Sequence, residues 1–360
     1  MRPGRAMVVR LIPVQQSAIR CDQGRSGGRA LPAGYLRPSA SDAAYWVVQT
    51  YTGFRPYDAP LDFAGEPRVT ESTLAFVFPG QGSQSLGMLA DLAQQHPEVL
   101  ETFQEASEGA GVDLWAISQD GPEDMLNRTE YTQPALLAAG IAVWRLWNAG
   151  RVHRPSVLAG HSLGEYTALV AAGALSLPDG ARLVRLRGQL MQEAAPAGVG
   201  AMAAVLGADD AVVQDVCTQA SGSQVVVPAN FNSPGQIVIG GDGEAVDRAL
   251  ALLAERGVRK AVKLAVSVPS HTPLMREAAD RLAVAMADLQ WQVPALPVVQ
   301  NVDAQVHDSV DAIRDALVRQ LYLPVRWTEC VQALAARGVT RVAECGPGKV
   351  LTGLVKRIDK

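Results

Sequence analysis

The sequence predicts an α/β fold: a large subdomain on a buried parallel sheet, interrupted by a smaller βαββαβ unit. Three observations predict it. Leu74-Ala-Phe-Val-Phe78 is a continuous apolar run, suited to a strand covered on both faces. Residues 156–175 read SVLAGHSLGEYTALVAAGAL: an apolar run, then a G-x-S-x-G turn at Gly160–Gly164, then a run of helix formers. Residues 198–266 read as strand, helix, strand, strand, helix, strand, the order of a ferredoxin-like split unit.

Composition bounds the rest. The chain has 360 residues, of which 48% are hydrophobic and 19% charged, so a sizeable core is available. A net charge of −4 gives no sign of nucleic-acid binding. The four cysteines (Cys21, Cys217, Cys330, Cys345) are scattered, which argues against a zinc site or disulfide framework and fits a reducing, cytoplasmic setting. The most apolar window, Pro134 to Trp144, is too short to span a bilayer.

Residues 1–70 differ from the remainder. They hold nine Arg, no Lys and five acidic residues, and Pro and Gly recur without a helical period. Disorder or loose packing is expected there. An Arg-rich, acid-poor start also resembles a mitochondrial transit peptide, and the stretch is equally read as a mis-assigned start, with the working chain beginning near Val69.

The strand at 74–78 runs into Pro79-Gly80-Gln81-Gly82-Ser83-Gln84-Ser85. This loop fails G-x-G-x-x-G at its last glycine, so it suits backbone N–H groups approaching a substrate oxygen better than a dinucleotide. Helical patterns follow at about 86–109 and 131–149, then the elbow strand and helix, then a helix from about Asp179 to Glu193. Arg182 and Arg185 lie one turn apart on that helix and read as solvated. Arg187, five residues from Arg182, points elsewhere, and the expectation is that it points inward.

The smaller unit reads as strand Ala201–Leu206, helix Asp209–Ala220, strands Val225–Asn230 and Gln236–Ile239, helix Glu244–Arg256 and strand Lys260–Val266. The large subdomain resumes at Val268-Pro269-Ser270-His271. A helix (Thr272–Leu289), a strand (Pro297–Val302), helices at about 309–321 and 327–337, a strand (Arg341–Glu344) and a last helix from Gly348 complete the chain. Gly346-Pro347-Gly348-Lys349 resembles a phosphate loop, but Val350 stands where Ser or Thr is needed, so it reads as a structural turn.

The elbow assigns Ser162 as a candidate nucleophile. Its glycines leave room for the sharp turn, and the helix behind it offers free N–H groups to an oxyanion. A serine hydroxyl needs a base. His96, His153 and His307 sit in polar stretches and read as surface residues. His161 adjoins the nucleophile but points away from it. His271, after Pro269 at the mouth of a helix, is the best base candidate. No acid to orient it is evident, and Asp303 is a weak one.

These residues together resemble the malonyl-CoA:acyl carrier protein transacylase family, of the bacterial type that serves fatty-acid synthesis. The resemblance rests on Phe76-Val-Phe-Pro-Gly-Gln-Gly-Ser-Gln84, Thr132-Gln133-Pro134-Ala135, Gly160-His-Ser-Leu-Gly-Glu165, Asn230-Phe-Asn-Ser-Pro-Gly-Gln236, Val268-Pro-Ser-His271 and Glu344-Cys-Gly-Pro-Gly-Lys349. It runs from about Leu74 to Arg357. It implies an α/β-hydrolase-like subdomain over 71–197 and 267–360 with the ferredoxin-like subdomain at 198–266, and it leaves 1–70 without a counterpart. Residue by residue, it implies Ser162 as nucleophile and His271 as base. The N–H groups of Gln81 and Leu163 form the oxyanion hole, and Arg187 pairs with the malonyl carboxylate. The main-chain carbonyl of Gln320 orients the histidine, which lowers the standing of Asp303. Asn230, Asn232 and Gln236 lie on a loop where coenzyme A contact or turn-forming hydrogen bonds are both open.

The resemblance implies ping-pong acyl transfer from malonyl-CoA to the pantetheine thiol of holo acyl carrier protein, with no metal or redox cofactor. Nucleic acid and membrane are not expected partners, and a monomer is expected. A basic patch for the acidic carrier could be Arg259, Lys260 and Lys263, or Lys349, Lys356 and Arg357; each could equally be solvated surface. The alternatives are a serine thioesterase or esterase, a non-catalytic scaffold keeping the fold, and an acyltransferase domain of a modular polyketide synthase. The lack of an H-G-G-G-type loop and the inserted unit favour the transferase.

Overall fold

The computed structural model describes residues 7–9, 48–52, 73–149, 154–195, 198–266 and 268–359. Two short strands apart, the expectations for residues 1–70, including a start near Val69, lie outside those residues, as does that for His153.

Those strands, β1 (Met7–Val9) and β2 (Val48–Thr52), come first. The apolar run forms β3 (Thr73–Phe78), buried from Leu74 onward. The pattern at 86–109 divides into α1 (Ala90–Gln95) and α2 (Glu98–Ala110), because Pro97 brings no N–H to carry the helix ladder across. Next come α3 (Leu114–Gln119), capped by the Asp113 carboxylate, and the single turn α4 (Glu123–Leu126). The long α5 (Thr129–Ala149) keeps Pro134 inside its second turn. The elbow is β4 (Val157–Gly160) and α6 (Leu163–Ala171). Then α7 (Leu177–Ala194) starts at Ser176, whose hydroxyl accepts from the Asp179 N–H at 3.1 Å.

The smaller unit is β5 (Gly200–Leu206), α8 (Asp210–Ser221), β6 (Val226–Ser233), β7 (Gln236–Asp242), α9 (Gly243–Glu255) and β8 (Lys260–Lys263). The chain continues through a 3₁₀ turn at Pro273–Met275 into α10 (Arg276–Ala287), β9 (Val298–Val299), α11 (Val310–Tyr322), α12 (Trp327–Ala336), β10 (Val339–Glu344) and α13 (Val350–Ile358). Two expected strands are shorter than their apolar patterns. One ends at Lys263. The other ends at Val299, because Gln300 and Asn301 turn their polar groups inward.

The large sheet has the order β1-β2-β10-β3-β4-β9, parallel from β10 to β9, with β2 antiparallel to β10 at the edge. Alternation along β3 divides its side chains between two cores. Phe76 and Phe78 face the layer of α2, α5, α6 and α7, where Phe76 meets Trp147 edge-on at 5.1 Å. Ala75 and Val77 face α12 and α13. The small sheet is antiparallel in the order β6-β7-β5-β8, as a ferredoxin-like unit requires, with α8 and α9 covering its apolar face. Its β6 edge is bound to the large subdomain: Val325 N–H donates to Ala229 O and Phe231 N–H donates to Val325 O, each at 2.9 Å. That clamp sets Asn232 opposite the elbow.

Candidate active site

Packing around the elbow explains both of its glycines. A Cβ on Gly160 would lie 1.9 Å from the carbonyl carbon of Gly164, and one on Gly164 would lie 2.0 Å from Phe78 O. No side chain fits at either place. Between them Ser162 adopts φ 52°, ψ −107°, a strained conformation for a non-glycine residue. Hydrogen bonds hold it there. Its N–H donates to Asn301 Oδ1 at 2.7 Å, and its carbonyl accepts from Gln320 Nε2 at 2.9 Å.

The Ser162 hydroxyl lies 2.7 Å from His271 Nε2. His271 is buried, also at positive φ (62°), and its Nδ1 donates to Gln320 O at 2.6 Å. That bond places the ring proton on Nδ1 and leaves Nε2 bare to receive the serine proton. Burial, followed by the nearby Arg187 charge, holds the imidazole down to about 3, so it is neutral across the physiological range.

Arg187 comes inward from α7 and is 1% exposed. Its Nη1 donates to Gln133 Oε1 at 2.8 Å, and its Nη2 to Gln320 Oε1 at 3.1 Å and Ser162 Oγ at 3.3 Å. The guanidinium sits 5.3 Å from the Tyr166 ring centre. No described ion pair includes it, and its Nε–H has no partner among the described residues. A buried cation held by neutral acceptors is a site for an anion.

The loop after β3 reaches the same place. Gly80 packs so closely that a Cβ would lie 2.5 Å from His161 O. The same loop carries Gln81, and the elbow it packs against leads into Leu163, the first residue of α6. No described hydrogen bond uses the N–H of Gln81 or of Leu163. The Gln81 side chain reaches Thr129 Oγ1 at 3.4 Å.

Other expectations resolve differently. His161 is bonded through Nε2 to Asn232 Oδ1 at 2.8 Å, which turns it from the hydroxyl toward the small subdomain. Burial keeps it neutral. Asn232 thus lies at the cleft, while Gln236 opens β7, where its side-chain Oε1 accepts from Arg357. Asp303 is not the orienting acid. It accepts from His307 at 3.1 Å and Arg319 at 3.2 Å, while Gln320 O occupies the His271 Nδ1 proton. His307 is accordingly half-buried rather than free on the surface. Arg182 is exposed, but Arg185 is half-buried and donates to Ala110 O, because α2 packs across that face of α7. Lys263 pairs with Asp247, while Arg259, Lys260, Lys349 and Lys356 are exposed. The turn at Gly346 packs on Pro79. Among the described residues no cluster of His, Cys, Asp or Glu has metal-site form.

Several residues at the site carried no signal of their own in the sequence. Glu165, Gln300, Asn301 and the Gln320 side chain form a buried polar group behind Ser162. The one available hint is the polar pair Gln300-Asn301 directly after an apolar strand. Gln133 likewise carries no signal beyond its place in Thr132-Gln133-Pro134-Ala135.

Comparison with known proteins places this geometry. Residues 75–358 match the acyl transferase domain family. The malonyl CoA-acyl carrier protein transacylase of Escherichia coli (strain K12) is 57% identical over 284 residues, spanning 79% of this chain and 92% of that protein. The crystal structure of malonyl-CoA:acyl carrier protein transacylase from Xanthomonas oryzae pv. oryzae has a TM-score of 0.80 at 80% identity, covering 81% of this chain and 93% of that one. A malonyl-transacylase in complex with its type II PKS acyl-carrier protein has a TM-score of 0.79 at 55% identity, covering 80% and 93%.

Proposed function

Because the chain belongs to the acyl transferase domain family, and within it to the malonyl CoA-acyl carrier protein transacylases, we propose that Ser162 carries the malonyl group and His271 moves its proton. The reaction is transfer of malonyl from malonyl-CoA to the acyl carrier protein, which supplies fatty-acid synthesis. The observation that carries the residue assignment is the convergence on one atom: Ser162 Oγ meets both His271 Nε2 at 2.7 Å and Arg187 Nη2 at 3.3 Å.

The steps follow from that geometry. The Ser162 hydroxyl gives its proton to His271 Nε2 as Oγ attacks the malonyl thioester carbon. The oxyanion is received by the N–H groups of Gln81 and Leu163, and each such donor is worth on the order of 10²–10³ in rate. The C–S bond breaks, and coenzyme A leaves as the thiol with the proton from His271. In the second half the pantetheine thiol gives its proton to His271 while sulfur attacks the malonyl ester. The C–O bond breaks, and the proton returns to Ser162 Oγ. The Gln320 carbonyl holds the imidazole throughout, which supports a dyad without an acid. Arg187 receives the malonyl carboxylate and selects for it. Asn232, paired with His161 at the cleft, is read as a contact for the coenzyme A or pantetheine arm. These steps need no metal or redox cofactor.

The protein is proposed to be cytoplasmic and monomeric; no helix among the described residues is long and apolar enough to cross a membrane. The proposal is tested by mixing the protein with malonyl-CoA alone and taking an intact mass beside Ser162→Ala. The expected result is a malonyl adduct that requires Ser162 and vanishes on adding holo carrier protein. Coenzyme A release without a lasting adduct would mean a thioesterase.

A further inference from the structure

Behind the site, Glu165 is fully buried on α6, three residues past Ser162, and no described cation pairs with it. Three donors converge on its carboxylate. Gln300 Nε2 reaches Oε1 at 3.1 Å; the Asn301 N–H reaches Oε2 at 2.7 Å; Gln320 Nε2 reaches Oε2 at 3.1 Å. Three donors and no acceptor favour the ionised form, which only accepts.

Two of those donors belong to residues that touch the site, Asn301 and Gln320. Asn301 Oδ1 receives the Ser162 N–H, and its Nδ2 donates to Gly160 O at 2.7 Å. Gln320 is the more telling. Its Nε2 is shared between Ser162 O and Glu165, and those two acceptors fix which way the amide faces. With Nε2 directed to them, Oε1 is left facing Arg187 Nη2 at 3.1 Å. A flipped amide would set an NH₂ against the guanidinium.

From this arrangement we infer that Glu165 is a positioning residue for malonyl recognition: its carboxylate locks the Gln320 amide so that Oε1 holds Arg187 in place for the substrate carboxylate. The chain of contacts Glu165–Gln320–Arg187 also gives the buried arginine a negative charge one residue removed, near enough to balance it and too far to occupy it. An incoming malonyl group therefore finds the guanidinium charged, oriented and unpaired.

The same contacts make the device sensitive to pH. Burial pushes the Glu165 carboxyl up to about 7 against its three hydrogen bonds. The other titratable groups that bear on it are Asp303 after β9, Arg187 of α7, Tyr166 of its own helix and Cys330 of α12. Protonation would give Glu165 a donor that favours the flipped amide. His271 stays neutral through this range and contributes no change of its own.

The inference rests on the transacylase reading, and its failure is separable from the failure of that reading. Loading of Ser162 is followed by intact mass with malonyl-CoA and, separately, acetyl-CoA, in wild type, Glu165→Gln and Glu165→Asp at pH 8. Absence of any wild-type malonyl adduct would remove the transacylase reading itself. The expected result is that Glu165→Gln lowers the malonyl-to-acetyl loading ratio about tenfold through a raised KM for malonyl-CoA, and that Glu165→Asp recovers part of it. Equal losses with both substrates, or none, would overturn the inference. Should Glu165→Gln fail to fold, wild type alone decides. The malonyl-to-acetyl ratio should fall about tenfold from pH 8 to pH 6, and a flat ratio would overturn the inference.

Discussion

Arg187 is costly to bury. Desolvation lowers its pKa, and the structure compensates it with neutral oxygens from Gln133 and Gln320 rather than with a carboxylate in contact. That cost makes sense if binding returns it. On the proposed reading a malonyl carboxylate would supply the missing ion pair, whereas an acetyl group would leave the guanidinium as it was. Arg187→Ala is therefore expected to cut malonyl loading of Ser162 on the order of 10- to 100-fold relative to acetyl loading, the scale of an unpaired buried charge-assisted bond. An unchanged ratio would remove Arg187 from specificity. The same substitution takes away the second cause that holds His271 down, so the imidazole should titrate at higher pH in the variant, readable from its ring proton resonances.

At the scale of elements, α7 can deliver Arg187 because it lies against α5 with almost no gap. A Cβ on Gly188 would come within 2.6 Å of Glu130 Cα and 2.7 Å of Thr129 O, both backbone positions that cannot yield. Gly188→Ala is expected to spread α5 from α7, at about 1–3 kcal/mol of stability. It should also pull Arg187 from Gln133. The check is thermal melting together with the KM for malonyl-CoA: both should worsen, and a raised KM with unchanged melting would deny the packing account. How much of this was legible follows the range of each signal. The elbow, β3 and the βαββαβ order lie in contiguous stretches, so alternation and helical period expose them. Pro97 and Pro134 look alike in sequence, yet one divides a helical pattern and the other sits inside α5, because its packing against α7 outweighs one lost backbone bond. The inward turn of Arg187 could be read from its offset from Arg182. Its partners could not, since Gln133 and Gln320 come from α5 and α11. The Glu165 group was the least legible: its members lie at 165, 300, 301 and 320, and only the closed fold brings them together.

For the molecule as a whole, the site sits where the β6 edge of the small subdomain is clamped to Val325, and buried ionisable groups collect on both sides of Ser162. Their opposing shifts set how stability responds to acid. His271 has its folded pKa depressed from 6.5 to about 3, so the folded state resists its protonation. The stability from this group is present above pH 6.5 and is lost as pH falls toward 3. His161, also lowered by burial, acts in the same direction. Glu165 has its folded pKa raised from 4.5 to about 7, so its contribution is present below 4.5 and lost as pH rises through 7. Between pH 6.5 and 4.5 His271 and Glu165 therefore oppose each other, each by on the order of a few kcal/mol. His271→Asn should make the melting temperature fall less, or rise more, as pH is lowered from 6.5 to 4.5, since it removes a group whose charging the fold resists. Glu165→Gln should shift the response the other way, since it removes a contribution that grows toward acid. Melting curves of the three proteins at half-unit pH steps test the assignment, and parallel slopes in all three would show that neither buried group governs the acid response.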